Sequence, residues 1–139
     1  MLIHALDTNL IVRLLRNKPA GLHDRIADGA ATMRVSTVVL AELLFGAERS
    51  ADPARVRREV EELLSRFAMM DFDAAAAALA AQIRGALARR GRSIGAHDTL
   101  IAGHARSRGL VVVTGNLREF ERVEGLRCED WEATGAAPG

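Results

Sequence analysis

One cysteine, one lysine, one tryptophan and no tyrosine occur among the 139 residues of this chain, and each scarcity excludes something. The lone Cys128 excludes an internal disulfide framework and any zinc site built from paired cysteines, which leaves it as small apolar filler. With no Tyr and one Trp, recognition through a row of stacked aromatics has little to draw on. The longest apolar stretches fall well short of the roughly 20 residues a membrane span requires. The N-terminus has neither the basic region nor the cleavage site of a signal peptide, so a cytoplasmic protein is expected. His4, His23, His97 and His104 show no zinc-like spacing. The net charge of +1 says little about partners, and no internal repeat is visible.

What is present points to one compact α/β domain with a modest core, since 49% of the residues are hydrophobic. Lys18 being the sole lysine, nearly all the positive charge is guanidinium, whose planar fork suits phosphate. From Ala74 to Arg118 the only acid is Asp98, whereas Arg84, Arg89, Arg90, Arg92, Arg106, Arg108 and Arg118 all fall in that span. Arg55, Arg57 and Arg58 sit among Glu59, Glu61 and Glu62 and read as a solvated helix face.

In chain order, strands alternate with helices. Leu2, Ile3, Ala5 and Leu6 form a nearly continuous apolar run, as in a parallel strand covered on both faces, and Asp7 follows at once. Ligands in open α/β sheets sit beyond the carboxyl ends of strands, so Asp7 stands at a site position. Thr8 or Asn9 would cap a helix over Leu10 to Leu15, or Asp7 is itself only that cap. Pro19 opens a second helix, from about Ala20 to Asp28. A strand at Met33 to Ser36 leads to a helix from Val38 to Ala47 with Ser36 or Thr37 as cap. Asp52 and Pro53 start a helix over Ala54 to Phe67, and Phe67 to Phe72 is a third strand. Asp73 caps an alanine-rich, close-packing helix that runs to Arg90 and closes at Gly91. The loop from Gly91 to Ala96 precedes a helix over Thr99 to Arg108, ended by Gly109. Leu110 to Val113 is the clearest strand, and a short one near Leu126 to Cys128 with Trp131 packed behind it completes a domain over 1–133. The tail 134–139 is expected to be disordered.

Three more acids fall at informative places. The helix holding Glu42 is apolar on almost every side, so it reads as buried. A carboxylate there needs an arginine, a metal ion or an open edge to solvent. Asp98 opens its helix, either as a cap or first-turn acid or as part of a site; its neighbour His97 reads as a surface residue. Glu119 follows the carboxyl end of a second buried strand, repeating the logic of Asp7. If the four converge, each neighbouring pair about 4 Å apart repels by roughly 4 kcal/mol at an effective dielectric of 20. Such a cluster calls for a cation, and oxygen-only ligands suit Mg²⁺ or Mn²⁺. Mg²⁺ keeps several waters, so it presents both an activated water and a Lewis-acidic clamp to a phosphodiester.

These residues carry a resemblance over nearly the whole chain. Leu6-Asp7-Thr8-Asn9, Ser36-Thr37 with Ala41-Glu42-Leu43 and Gly46, Asp98 with Ile101-Ala102-Gly103, and Val113-Thr114-Gly115-Asn116 before Arg118-Glu119-Phe120 together resemble PIN-domain ribonucleases of the VapC toxin type. The resemblance implies a three-layer α/β/α fold with a short, mostly parallel sheet. It implies Mg²⁺ or Mn²⁺ held by Asp7, Glu42, Asp98 and Glu119, with Glu119 either completing a second metal's shell or orienting water. Thr8, Asn9, Thr114 and Asn116 would line the site, and arginines such as Arg84 and Arg118 would track the RNA backbone. Endonucleolytic RNA cleavage, a homodimer and a VapB-type antitoxin partner are implied as well. Position 115 is Gly where the family often has Asn or Arg, and Glu119 stands where Asp is also common. For partner contacts, Val12, Leu14, Val56 and Leu63 are either interface or internal core.

Other classes fit less well. A receiver-like module needs a lysine after its last strand, and Lys18 lies elsewhere. An aspartyl phosphatase wants a second Asp two residues after the first, where this chain has Asn9. A catalytically silent module that binds RNA or an antitoxin is the remaining alternative, which a nuclease assay separates.

Overall fold

The computed structural model describes residues 3–16 and 21–131. Leu2, Pro19, Ala20 and the 134–139 tail lie outside the described residues. The elements are β1 (His4–Leu6), α1 (Thr8–Leu15), α2 (Leu22–Gly29), β2 (Met33–Ser36), α3 (Thr37–Glu48), α4 (Pro53–Leu64), β3 (Ala68–Met70), α5 (Ala74–Arg89), α6 (Ala96–Ser107), β4 (Val111–Val113), α7 (Leu117–Phe120) and β5 (Cys128–Glu129).

Five strands form one sheet in the order β3-β2-β1-β4-β5, and every pairing is parallel. The chain builds outward from β1 to β2 and β3, then crosses back to place β4 on the other side of β1. The order therefore reverses between β1 and β4, whose carboxyl ends form the crevice where open α/β sheets take ligands. Their register pairs Leu6 with Val113, which sets Asp7 beside Thr114. Helices flank the sheet, so β4 is buried along its whole length, as its run of three valines requires.

Helix α5 and helix α6 pack with their backbones nearly touching. A Cβ added at Gly103 would lie 2.5 Å from the Ala80 backbone nitrogen, so this contact tolerates only glycine opposite the alanine-rich face. Residues Ile101 to Ala105 are all buried, His104 included. Its Nδ1 lies 2.8 Å from Ser36 Oγ, the same oxygen that accepts from the Val38 N–H at 3.0 Å and caps α3. Burial, seconded by Arg108, holds the His104 pKa below its ordinary 6.5.

One expectation about packing is corrected and another is settled toward the core. Helix α3 is not buried all round: it sinks Val39, Leu43 and Ala47, spaced by one turn, and leaves Phe45 61% exposed. It packs as a surface helix with one face on the core although its sequence is apolar around most of its circumference. Leu14 and Leu63 belong to the internal core, and Val12 and Val56 are partly buried against it. Cys128 is half-buried against the same core.

Candidate active site

Asp7 leaves β1 in extended geometry and caps α1, and the cap leaves its second carboxylate oxygen for another partner. Its Oδ1 accepts the Thr8 N–H at 2.7 Å, and its Oδ2 accepts the Thr114 hydroxyl at 2.6 Å. Helix α1 thus begins at Thr8 rather than Leu10, with Asp7 as cap instead of Thr8 or Asn9. The Thr8 hydroxyl is free to reach across to α3, where it donates to Glu42 Oε1 at 2.7 Å. Glu42 Oε2 lies 3.6 Å from Nδ1 of the exposed His97.

The second half of the cluster hangs on Asn116. Its Nδ2 donates to Asp98 Oδ2 at 3.2 Å and to Glu119 Oε2 at 3.0 Å, while its backbone N–H donates to Thr114 Oγ at 2.8 Å. Asp98 lies in the first turn of α6, but Gly95 is the N-cap, so the carboxylate is not occupied in capping. From Glu42 through Thr8, Asp7, Thr114 and Asn116 to Asp98 and Glu119, one unbroken chain of hydrogen bonds joins all four carboxylates.

The electrostatics are those of acids crowded together. Burial pushes the Asp7 carboxyl above its ordinary range, the Thr114 and Thr8 bonds pull the other way, and the charges of Glu42 and Glu119 push it further up. Asp98 is pushed up to about 8, chiefly by burial, then by its bond with Glu119 and by the charges of Asp7, Glu119 and Glu42. Glu119 is drawn down by that same bond, with Asn116 and Arg122 helping. Asp98 and Glu119 thus titrate as a pair, with Asp98 the member that keeps its proton to higher pH.

Among the described residues no three acidic or histidine side chains are posed to chelate a common ion. The Asn116 amide instead fills the electropositive position between Asp98 and Glu119. The donor set nonetheless fits a hard divalent cation. It is oxygen-rich and strongly acidic, none of its four members is ion-paired with Arg or Lys among the described residues, and its raised pKa values mark charge awaiting a counter-ion.

The remaining lining residues divide. Thr8, Thr114 and Asn116 touch the carboxylates. Asn9 is exposed and borders a hollow with Val12, Arg13, Arg16 and Gly115. Arg84 borders a small hollow of about 140 Å³ with Ser93, Ile94, Ala96 and Thr99, beside the start of α6. Arg118 is exposed on α7. Arg108 is not free for a ligand, since it reaches Asp73 at 3.1 Å. His97, expected at the surface, is exposed and also borders Glu42.

The family model for the PIN domain matches residues 5–126. The chain is 51% identical to the "tRNA(fMet)-specific endonuclease VapC" of Shigella flexneri over 94% of its own length and 99% of the relative's. It is 42% identical to "Ribonuclease VapC2" of Haemophilus influenzae over the same shares of the two chains. Among solved structures, a chain of the DNA-bound VapBC complex from Salmonella typhimurium superposes with a TM-score of 0.90 at 48% identity, covering 94% of this chain and 99% of that one.

Proposed function

This chain belongs to the VapC group of the PIN-domain family, and on that premise we propose that it is a divalent-metal-dependent endoribonuclease, the toxin of a toxin-antitoxin pair. One observation carries the reading: four carboxylates far apart in sequence are tied into a single hydrogen-bond chain at the sheet's switch point, with no arginine or lysine paired to them among the described residues.

Asp7, Glu42 and Asp98 would hold Mg²⁺ or Mn²⁺, with Glu119 as a fourth ligand or as a group orienting water. Such an ion, when bound, supplies Lewis-acid stabilisation of a phosphoryl oxygen and an activated water at neutral pH. The chain's own residues do the rest. The Thr114 hydroxyl and the Thr8 N–H fix the rotamer of Asp7, one on each oxygen, and the Thr8 hydroxyl fixes Glu42 through Oε1. Asn116 aligns Asp98 with Glu119 by donating to both. The N-termini of α1 and α6 place their positive dipole ends toward the cluster, where a phosphodiester's charge is drawn in. Arg84, beside the start of α6, and Arg118, exposed on α7, would meet phosphates of the RNA backbone.

The relatives' printed names support RNA as substrate, and the Shigella relative makes initiator tRNA the first RNA to assay. The VapBC complexes among the structural neighbours support a VapB-type antitoxin as partner. Asp7→Asn keeps the cap and the Thr114 contact but removes charge, so it abolishes Mg²⁺-dependent RNA cleavage while the circular dichroism spectrum stays unchanged. Full cleavage by that variant would sink the reading.

A further inference from the structure

The arginines of the uncompensated span do not form one patch around the acids. Arg89, Arg90 and Arg106 converge instead on a separate open cleft of about 670 Å³, between α5 and the turn after α7. All three are exposed, and Glu124 is the one carboxylate on its walls. Arg106 lies eight residues along α6 from Asp98, about 12 Å at the helical rise, so this cleft is distinct from the acid cluster.

The cleft is held in shape by the chain. Arg90 Nη2 donates to the Arg122 carbonyl at 3.4 Å and ties the end of α5 to the far wall. Gly125 turns that wall at φ +79, and the Arg106 guanidinium lies against it, its Cζ and Nη2 3.4 Å from where a Cβ would stand. A side chain at 125 would be strained by the backbone, and its Cβ would stand in van der Waals contact with the Arg106 guanidinium. Between the arginines the walls are small and apolar, with Ala81, Ala86 and Val123. That leaves room for a backbone to lie close while guanidinium groups at both ends engage it. Cations spaced along a cleft with few other polar groups suit a polyanion better than a small anion, which wants donors converging on one point.

We propose that this cleft holds the phosphate backbone of the RNA at a distance from the scissile bond, so that it discriminates RNAs long enough to reach both places from short single strands. The proposal rests on the ribonuclease reading for its ligand. It makes Arg89 and Arg106 specificity residues outside the chemistry.

The test is fluorescence anisotropy of the full chain in EDTA, where no cleavage occurs, with two probes: initiator tRNA and a short single-stranded oligoribonucleotide. Arg89→Gln/Arg106→Gln should weaken tRNA binding at least tenfold and lower the slope of log affinity against log salt by about 2, while oligoribonucleotide binding and the melting temperature stay unchanged. Unchanged tRNA affinity overturns the proposal. So does an equal loss for both probes, or a loss that accompanies a changed sedimentation coefficient, which would mark the cleft as a protein contact. A wild type that binds tRNA through these arginines yet cleaves no RNA with Mg²⁺ would remove the nuclease reading and leave the cleft standing.

Discussion

Removing one acid from the cluster should stabilise the metal-free protein, and the size of the gain can be worked from the geometry. Asp98 is pushed up to about 8 from an ordinary 3.8 by burial and by three neighbouring carboxylates. Each pKa unit is worth about 1.4 kcal/mol, so a fully buried group displaced that far would cost the fold on the order of 6 kcal/mol when ionised. Partial exposure and the paired titration with Glu119 reduce this to about 2 kcal/mol. Asp98→Asn keeps an acceptor for Asn116 and removes the charge, so in EDTA at pH 8.5 its melting temperature should exceed the wild type's by about 6–8 °C for a chain of this length. The sign with pH is definite. A raised folded-state pKa gives the wild type its full stability below pH 3.8, and that stability is lost as pH rises through about 8. The variant's advantage therefore opens above pH 4 and is complete just above pH 8. Saturating Mg²⁺ reverses the order, because binding at about 100 times Kd adds about 2.7 kcal/mol to the protein that keeps its ligand. Thermal melts at pH 5, 7 and 8.5, with EDTA and with Mg²⁺, check all three points. An asparagine variant that melts at or below the wild type in EDTA at pH 8.5, or a gap that is the same at pH 5 and 8.5, would refute the reasoning.

Other outcomes follow from the same contacts. Thr114→Val removes the hydroxyl that donates to Asp7 at 2.6 Å, and should weaken Mg²⁺ affinity about 10- to 100-fold in calorimetry with the fold intact. Gly103→Ala drives a methyl into the Ala80 backbone, and should cost about 3 kcal/mol or more in urea unfolding, since neither helix can yield without moving α5. His104, with a folded pKa held below 6.5, gives stability that is full above pH 6.5 and is lost as pH falls through the folded value. The urea midpoint of His104→Gln should accordingly change less than that of the wild type between pH 6.5 and 5.

The strands and the acids were legible because they follow rules that need no long-range knowledge. An unbroken apolar run such as Val111 to Val113 demands cover on both faces, and an acid just past such a run lands at the sheet's edge of chemistry. What was not legible depended on packing partners. The outer face of α3 repeats its inner face in composition, so nothing in the sequence distinguishes Phe45 from Val39. The burial of His104 could not be read from the sequence because the depth of α6 is set by Gly103 against Ala80, a contact between distant parts of the chain. The arginines between Ala74 and Arg118 share a charge pattern but not a direction. The turns of α5 and α6 send Arg108 to Asp73, Arg84 to the small hollow beside the start of α6 and Arg89 with Arg106 to the separate cleft. Cap and ligand readings of Asp7 do not exclude each other, because a sequence shows one residue where the structure uses two oxygens.

Asp7 is tied to the middle of the sheet at both ends of the residue: its N–H donates to the Val113 carbonyl at 3.0 Å, and its side chain takes the Thr114 hydroxyl. The hinge of the chemistry is thus part of the last structure to open when the protein loosens. Its amide should exchange with deuterium only as fast as the whole domain unfolds. A protein built this way has no half-melted resting form in which the acids drift apart. Silencing the proposed nuclease would then take something that sits over the crevice, or destruction of the entire chain.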